Sequence, residues 1–107
     1  MPVRHMDEVP FQEVKAGDRT TIQVLLEGPN FKMRRFRIQP GGGMPEHTNT
    51  VEHEQLVLKG RANIGIAGET FSVQPGSVVL IPEGVPHWYM NSGEEDFEFL
   101  CLIPNKP

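Results

Sequence analysis

Apolar and polar residues alternate over short stretches along the whole chain, and glycine or proline closes nearly every stretch. Alternation of period two is the mark of a strand with one face buried. The pattern predicts strands over 20–26, 31–39, 56–58, 62–66, 69–73, 78–81, 88–90 and 97–103. Val78-Val79-Leu80-Ile81 is apolar throughout and β-branched, as a strand covered on both faces would be. Between the strands lie Gly28-Pro29-Asn30, Pro40-Gly41-Gly42-Gly43, Ala67-Gly68, Gln74-Pro75-Gly76-Ser77 and Pro82-Glu83-Gly84-Val85-Pro86, all read as turns or loops. Residues 1–19 are read as an N-terminal arm or edge strand centred on 9–14, whose Val9, Phe11 and Val14 need cover from the barrel flank or a second subunit. No stretch carries a sustained 3.6-residue period, so almost no helix is expected.

Composition sharpens this picture. Eleven Gly and ten Pro in 107 residues oppose a helical bundle. The length suits one domain, taken as 1–107, folded as an all-β sandwich or barrel. Ten Lys and Arg against fourteen Asp and Glu leave a net charge of −4, a poor match to phosphate backbones, so no nucleic-acid partner is expected. No apolar run suits a membrane span, and the first residues lack an apolar leader core, so a cytoplasmic location is the expectation. A single cysteine, Cys101, excludes an intrachain disulfide and a cysteine-rich zinc module. Gly41-Gly42-Gly43 lacks the Lys and Ser/Thr of a phosphate loop, and no helix is predicted after it.

The candidate chemistry lies in three of the four histidines. His5 falls in the arm, whereas His47, His53 and His87 are all bracketed by Gly/Pro loops. On one straight strand His47 and His53 would stand about 20 Å apart, too far to share an ion. A reversal at Thr48-Asn49-Thr50 would instead set them on adjacent antiparallel strands about 4.8 Å apart. His87 can then supply a third imidazole from its stiff loop. A hydrogen-bonded structural role remains open for each histidine taken singly.

With these positions in view the sequence resembles the cupin superfamily. Gly41, His47, Asn49, His53 and Gly60 stand at the fixed positions of the first cupin motif, G-x5-H-x-H-x3,4-E-x6-G, over 41–60. Gly76, Pro82, Gly84, His87 and Asn91 match the second, G-x5-P-x-G-x2-H-x3-N, over 76–91 without exception. The resemblance implies a jelly-roll (double-stranded β-helix) barrel around a metal centre, with His47 and His87 as ligands. Two positions depart: His53 replaces the usual glutamate and Asn49 the usual second histidine. The first change is similar to small single-domain cupins that bind manganese through histidines. The expected ligands are therefore His47, His53 and His87, with Asn49 a fourth ligand or a group just behind them. They would hold one divalent transition ion, with manganese or iron favoured and zinc, nickel and copper open. Neutral imidazoles would leave the ion near its full charge, which favours an anionic or enolisable small molecule.

Further pocket candidates follow from strand parity. Gln55 shares a face with His53, and Tyr89 shares one with His87. Each either lines the cavity or spends its polar group on a neighbouring strand. Cys101 alternates with Phe97, Phe99 and Ile103 and is read as a buried thiol, with a place near the ion open. Arg34, Arg35 and Arg37 cluster on one strand, where outward positions are the ordinary reading, and Arg35 is taken as the inward candidate. Trp88 should face outward. The expected function is a small metalloenzyme performing dioxygenase-like oxidation. A non-catalytic ligand-binding or sensor module, and a Lewis-acid isomerase or decarboxylase, are the alternatives. A homodimer is expected, because small barrels leave edges and apolar flanks that self-pairing hides.

Overall fold

The computed structural model describes residues 2–105; of the arm and domain assigned above, positions 1, 106 and 107 lie outside the described residues. Nine strands follow one another: β1 (Gln12–Glu13), β2 (Asp18–Glu27), β3 (Phe31–His47), β4 (His53–Lys59), β5 (Ala62–Ile66), β6 (Glu69–Val73), β7 (Val78–Ile81), β8 (His87–Met90) and β9 (Phe97–Pro104). One 3-10 turn, Met6–Glu8, is the only helix among the described residues. The sheet runs β6-β5-β8-β3-β9-β4-β7, with β2 on β3 and β1 on β2, and it curls into a jelly-roll barrel.

The connection expected at Pro40–Gly43 is instead the middle of β3. This 17-residue strand pairs with β9 along its first half, from Phe31 to Ile38, and with β8 along its second, from Gly43 to His47. The glycines make the crossing possible. Gly41 has φ +82, and a Cβ at Gly43 would collide with the Tyr89 carbonyl. The β2 ladder skips here from Asp18↔Gly43 to Thr20↔Ile38, a bulge at which the strand exchanges β9 for β8 as its partner. Asn91, the last residue of the second motif, pins the bulge. Its backbone N–H donates to Gly42 O at 2.9 Å and its carbonyl accepts from Gly41 N at 2.8 Å. Its buried amide donates to Ile38 O at 2.9 Å.

Inside the barrel Phe36, Phe99 and Tyr89 stack in a column, with ring centroids 5.1 and 5.2 Å apart. Ile38, Ile64, Ile81 and Phe97 fill the space around it. The arm finds its cover on the barrel's own flank. Gln23 donates to the Met6 and Val9 carbonyls, and Phe11 lies over the guanidinium of Arg37 at 4.1 Å and that of Arg35 at 5.4 Å. Arg35, taken from the sequence as the inward arginine, is thus beneath the arm on the outer face. Its register partner there is Leu100, whereas Arg34 stands opposite the inward Cys101. Arg35 is bonded to Glu98 and Gln23, and Arg37 also reaches Glu98, at 3.2 Å.

Burial alone would raise the Glu98 pKa, but the hydrogen bonds and charges of Arg35 and Arg37 outweigh it and hold the carboxyl below its usual range. The resulting stabilisation is present above the unfolded carboxylate pKa and is lost as pH falls through the lowered folded value. Glu98→Ala, which strands a buried guanidinium, should cost about 3 kcal/mol in urea unfolding at pH 7. That cost should shrink progressively below about pH 4.

Candidate metal centre

His47 ends β3, and His87, opening β8, is its register partner, with ring centroids 4.2 Å apart. His53 opens β4, and its ring lies 5.8 Å from that of His87. The three imidazoles do meet, but not by the expected route. β4 pairs with β7 and β9 rather than with β3, because β9 inserts between them. The barrel's curvature therefore brings His53 to the pair, and 48–52 form an open connection. That connection is tied to the second motif's loop where Gly84 N donates to Asn49 O at 2.8 Å.

Each imidazole is held in the same way, by the carbonyl two residues before it. The Nδ1 atoms lie 2.8 Å from Pro45 O for His47, 3.1 Å from Val51 O for His53 and 2.9 Å from Val85 O for His87. A carbonyl only accepts, so each Nδ1 carries the hydrogen and each Nε2 keeps a lone pair. Burial, followed by the Arg34 charge, pulls the His53 pKa down to about 4, and burial likewise lowers that of His87. Both are neutral at pH 7.

Asn49 bridges two of these lone pairs. Its Nδ2 donates to His53 Nε2 at 3.3 Å and to His87 Nε2 at 3.4 Å. Among the described residues no three His, Cys, Asp or Glu side chains are gathered closely enough to hold an ion as they stand. The donor set nevertheless suits a divalent first-row ion: three imidazole nitrogen donors, each braced from behind by a carbonyl. Asn49 would have to withdraw or turn its oxygen inward.

Below the histidines lies a cavity of about 400 Å³. His47, Asn49, His53, His87, Gln55, Tyr89 and Arg34 line it, with Ile22, Phe36 and Met44 on its apolar side. Gln55 and Tyr89 both line the cavity and also bond each other, Gln55 Nε2 donating to Tyr89 Oη at 2.7 Å. Burial raises the Tyr89 pKa despite that bond, so the phenol stays protonated. Cys101 is fully buried behind this wall, its sulfur accepting from Arg34 Nη2 at 3.2 Å and from Gln55 Nε2 at 3.5 Å. Trp88 faces away, flat against Gly65. The residue missed is Arg34. Counting by twos back from Ile38, buried in the core, selects Phe36 and Arg34 and leaves Arg35 and Arg37 on the other face. No Asp or Glu lines the cavity.

A family model described as the cupin domain matches residues 34–103. Among curated relatives, mannose-1-phosphate guanylyltransferase of Salmonella montevideo is 32% identical over 75 residues, 68% of this chain but 16% of that protein. The chain therefore spans only about a sixth of the length of such relatives. An uncharacterised protein of Streptomyces coelicolor is 28% identical over 89% of both chains. The polyketide cyclase RemF of Streptomyces resistomycificus superposes with a TM-score of 0.92 at 28% identity, over 99% of this chain and 80% of that one. A predicted oxalate decarboxylase of Thermotoga maritima, 20% identical with a TM-score of 0.87 over 97% and 99% of the two chains, shares the fold.

An NMR titration of metal-free protein should show His53 as the Nδ1–H tautomer at pH 7, titrating near pH 4. Because the unfolded imidazole takes its proton near 6.5, metal-free protein should lose stability as pH falls from 6.5 towards 4. A His53 that is cationic at pH 6 would contradict the geometry.

Proposed function

The chain is a member of the cupin family, and we propose that it is a metal-binding cupin: His47, His53 and His87 hold one divalent transition ion, and a small anionic or enolisable molecule binds beside it. The observation that carries this reading is the set of three carbonyl-braced imidazoles, all with Nε2 lone pairs, on a cavity whose one charged side chain is Arg34. Arg34 is half-buried and has no carboxylate partner among the described ion pairs, so a bound acid would meet an available guanidinium there. Such an ion, when bound, supplies one-electron chemistry towards dioxygen if it is manganese or iron, and carbonyl polarisation if it is redox-inert. The chain's own part is to orient the molecule, with its anionic end at Arg34 and its apolar body against Ile22, Phe36 and Met44.

Two features favour metal-centred oxidation over proton abstraction by a side chain. No carboxylate lines the cavity, and the one phenol there, Tyr89, has a raised pKa. The similarity to a polyketide cyclase lends weight to a second reading, Lewis-acid chemistry on an enolisable carbonyl. An oxygen electrode separates the two, since only the first consumes dioxygen. Binding without turnover is the outcome if neither is found.

Self-association is part of the proposal. Contrary to the buried strand expected over 78–81, Val78 and Leu80 of β7 are 79% and 56% exposed, because β7 is an edge strand paired on one side only, by β4. With Leu56, Leu100, Leu102 and Met33 they line an apolar depression outside the barrel. Light scattering at micromolar concentration should give twice the monomer mass, and Leu80→Glu should return the monomer. A monomeric wild type would sink this claim.

Elemental analysis of protein prepared without added metal or a polyhistidine tag should give about one ion per chain. Joint replacement of His47, His53 and His87 by Ala should bring it near zero, and an unchanged content would refute the assignment. Asn49→His should tighten binding in competition with a chelator and remove an open position seen by azide. An unaltered affinity and azide response would place Asn49 outside the ion's shell.

A further inference from the structure

Burial divides the lining of the histidine cavity into a floor and a mouth. Phe36, Met44, His53, Gln55, His87 and Tyr89 are buried and form the floor. The other lining residues are exposed or half-buried and form the rim. Four of these are apolar: Ala16 and Pro45 are exposed, and Val14 and Ile22 are half-buried. Val14 and Ala16 belong to the turn that joins the arm to β2, so a segment outside both cupin motifs enters the site.

That turn is a fixed part of the wall. Val14 N donates to Thr20 O at 3.0 Å and Gly17 N to Val14 O at 3.1 Å. Val14 packs against the barrel core. A Cβ at Gly17 would lie 2.9 Å from Thr20 Cβ and 3.2 Å from Met44 Cγ, so the turn rests on the cavity wall at a spacing that suits glycine. Upstream, the arm is fastened to the outer face by the bonds from Gln23 to the Met6 and Val9 carbonyls. The collar of apolar side chains therefore stands in place before any ligand arrives, which spares the cost of ordering it on binding.

We infer that Val14 and Ala16 are specificity-determining residues, which select acids carrying an apolar far end over compact acids. The inference deepens the proposed function and rests on its reading that an acid binds with its anionic end at Arg34. A compact acid placed there leaves the collar in contact with water. An acid with a ring or chain at its far end covers Val14, Ala16, Ile22 and Pro45, and the apolar area removed from water adds to its affinity.

Benzoate and biphenyl-4-carboxylate share the anionic end and differ by one ring, and serve as probes. Calorimetric titrations are run on protein as purified and after a chelator has stripped it, with metal content measured on the same samples. Wild type should bind biphenyl-4-carboxylate about tenfold more tightly than benzoate. The nearly isosteric Val14→Thr and the exposed Ala16→Asn set a polar atom against the added ring. Each should weaken biphenyl-4-carboxylate about threefold to fivefold and leave benzoate within about twofold. Arg34→Gln should weaken both acids. Equal binding of the two acids by wild type would overturn the inference and leave the acid reading intact. So would an unchanged biphenyl-4-carboxylate affinity in both rim variants, or a loss shared equally by benzoate. Undiminished binding in Arg34→Gln would put the acids outside the cavity and overturn the inference. Failure of both acids to bind either form of the protein would overturn the acid reading and the inference with it. The expected selectivity in protein that purifies without metal would uphold the collar and overturn the metal assignment alone.

Discussion

The exchange of partners along β3, from β9 to β8, is the constraint on which the rest of the molecule hangs. Its first half carries Arg34 and Phe36 and its second half Met44 and His47, so one strand contributes to both floor and rim of the cavity. A regular strand would keep a single neighbour on each side and could not do this. The bulge at Gly41–Gly43 redirects it, and Asn91 secures the bulge with backbone and amide hydrogen bonds together. The first glycine and the last asparagine of the two sequence motifs thus meet, since Gly41 N donates to Asn91 O. These outer residues of the motifs are scaffold, whereas His47, Asn49, His53 and His87 line the cavity.

Much of this was legible in the chain. Alternation and Gly/Pro punctuation identified the strands, and motif spacing brought out the three histidines, Asn49 and the barrel. Strand parity put Gln55 on the face of His53 and Tyr89 on that of His87, and both line one cavity. What was not legible depended on non-local pairing. Pro40-Gly41-Gly42-Gly43 has the composition of a loop, and only the carbonyls of Asp18 and Tyr89 crowding Gly42 and Gly43 show why a strand there needs glycine. Adjacency of the His47 and His53 strands was a local inference, defeated by β9 arriving from the far end of the chain to lie between them. Among three arginines within four positions, one step of parity decides which enters the barrel. The choice of Arg35 failed on that step, because its charge is met outside by Glu98 and covered by Phe11.

The interior mixes two kinds of packing, an aromatic column and a polar cluster. Phe36, Phe99 and Tyr89 form a dry stacked column, and Tyr89 turns its edge to His87 at 5.9 Å, where the column meets the polar cluster. Buried polar groups at this junction are tolerable only when they are bonded. The histidines meet that requirement with backbone carbonyls, and Asn49 covers two of the remaining lone pairs. The unmet atoms are instead on Arg34 and Gln55, one layer deeper.

That distribution bears on how charge is balanced inside the cavity. Arg34 is a fixed positive charge, and it helps to hold His53 in its neutral form. A second cation on the three imidazoles would stand beside the first with no carboxylate on the cavity wall to offset either. Two like charges in a partly desolvated space repel, so a bound anion would relieve both at once, and metal and acid would each strengthen the other's binding. With the usual glutamate at position 53 the ion would be half neutralised by its own ligand, and that coupling would weaken. On the proposed reading, His53 in place of glutamate would therefore move the task of neutralisation from the protein to a bound small molecule.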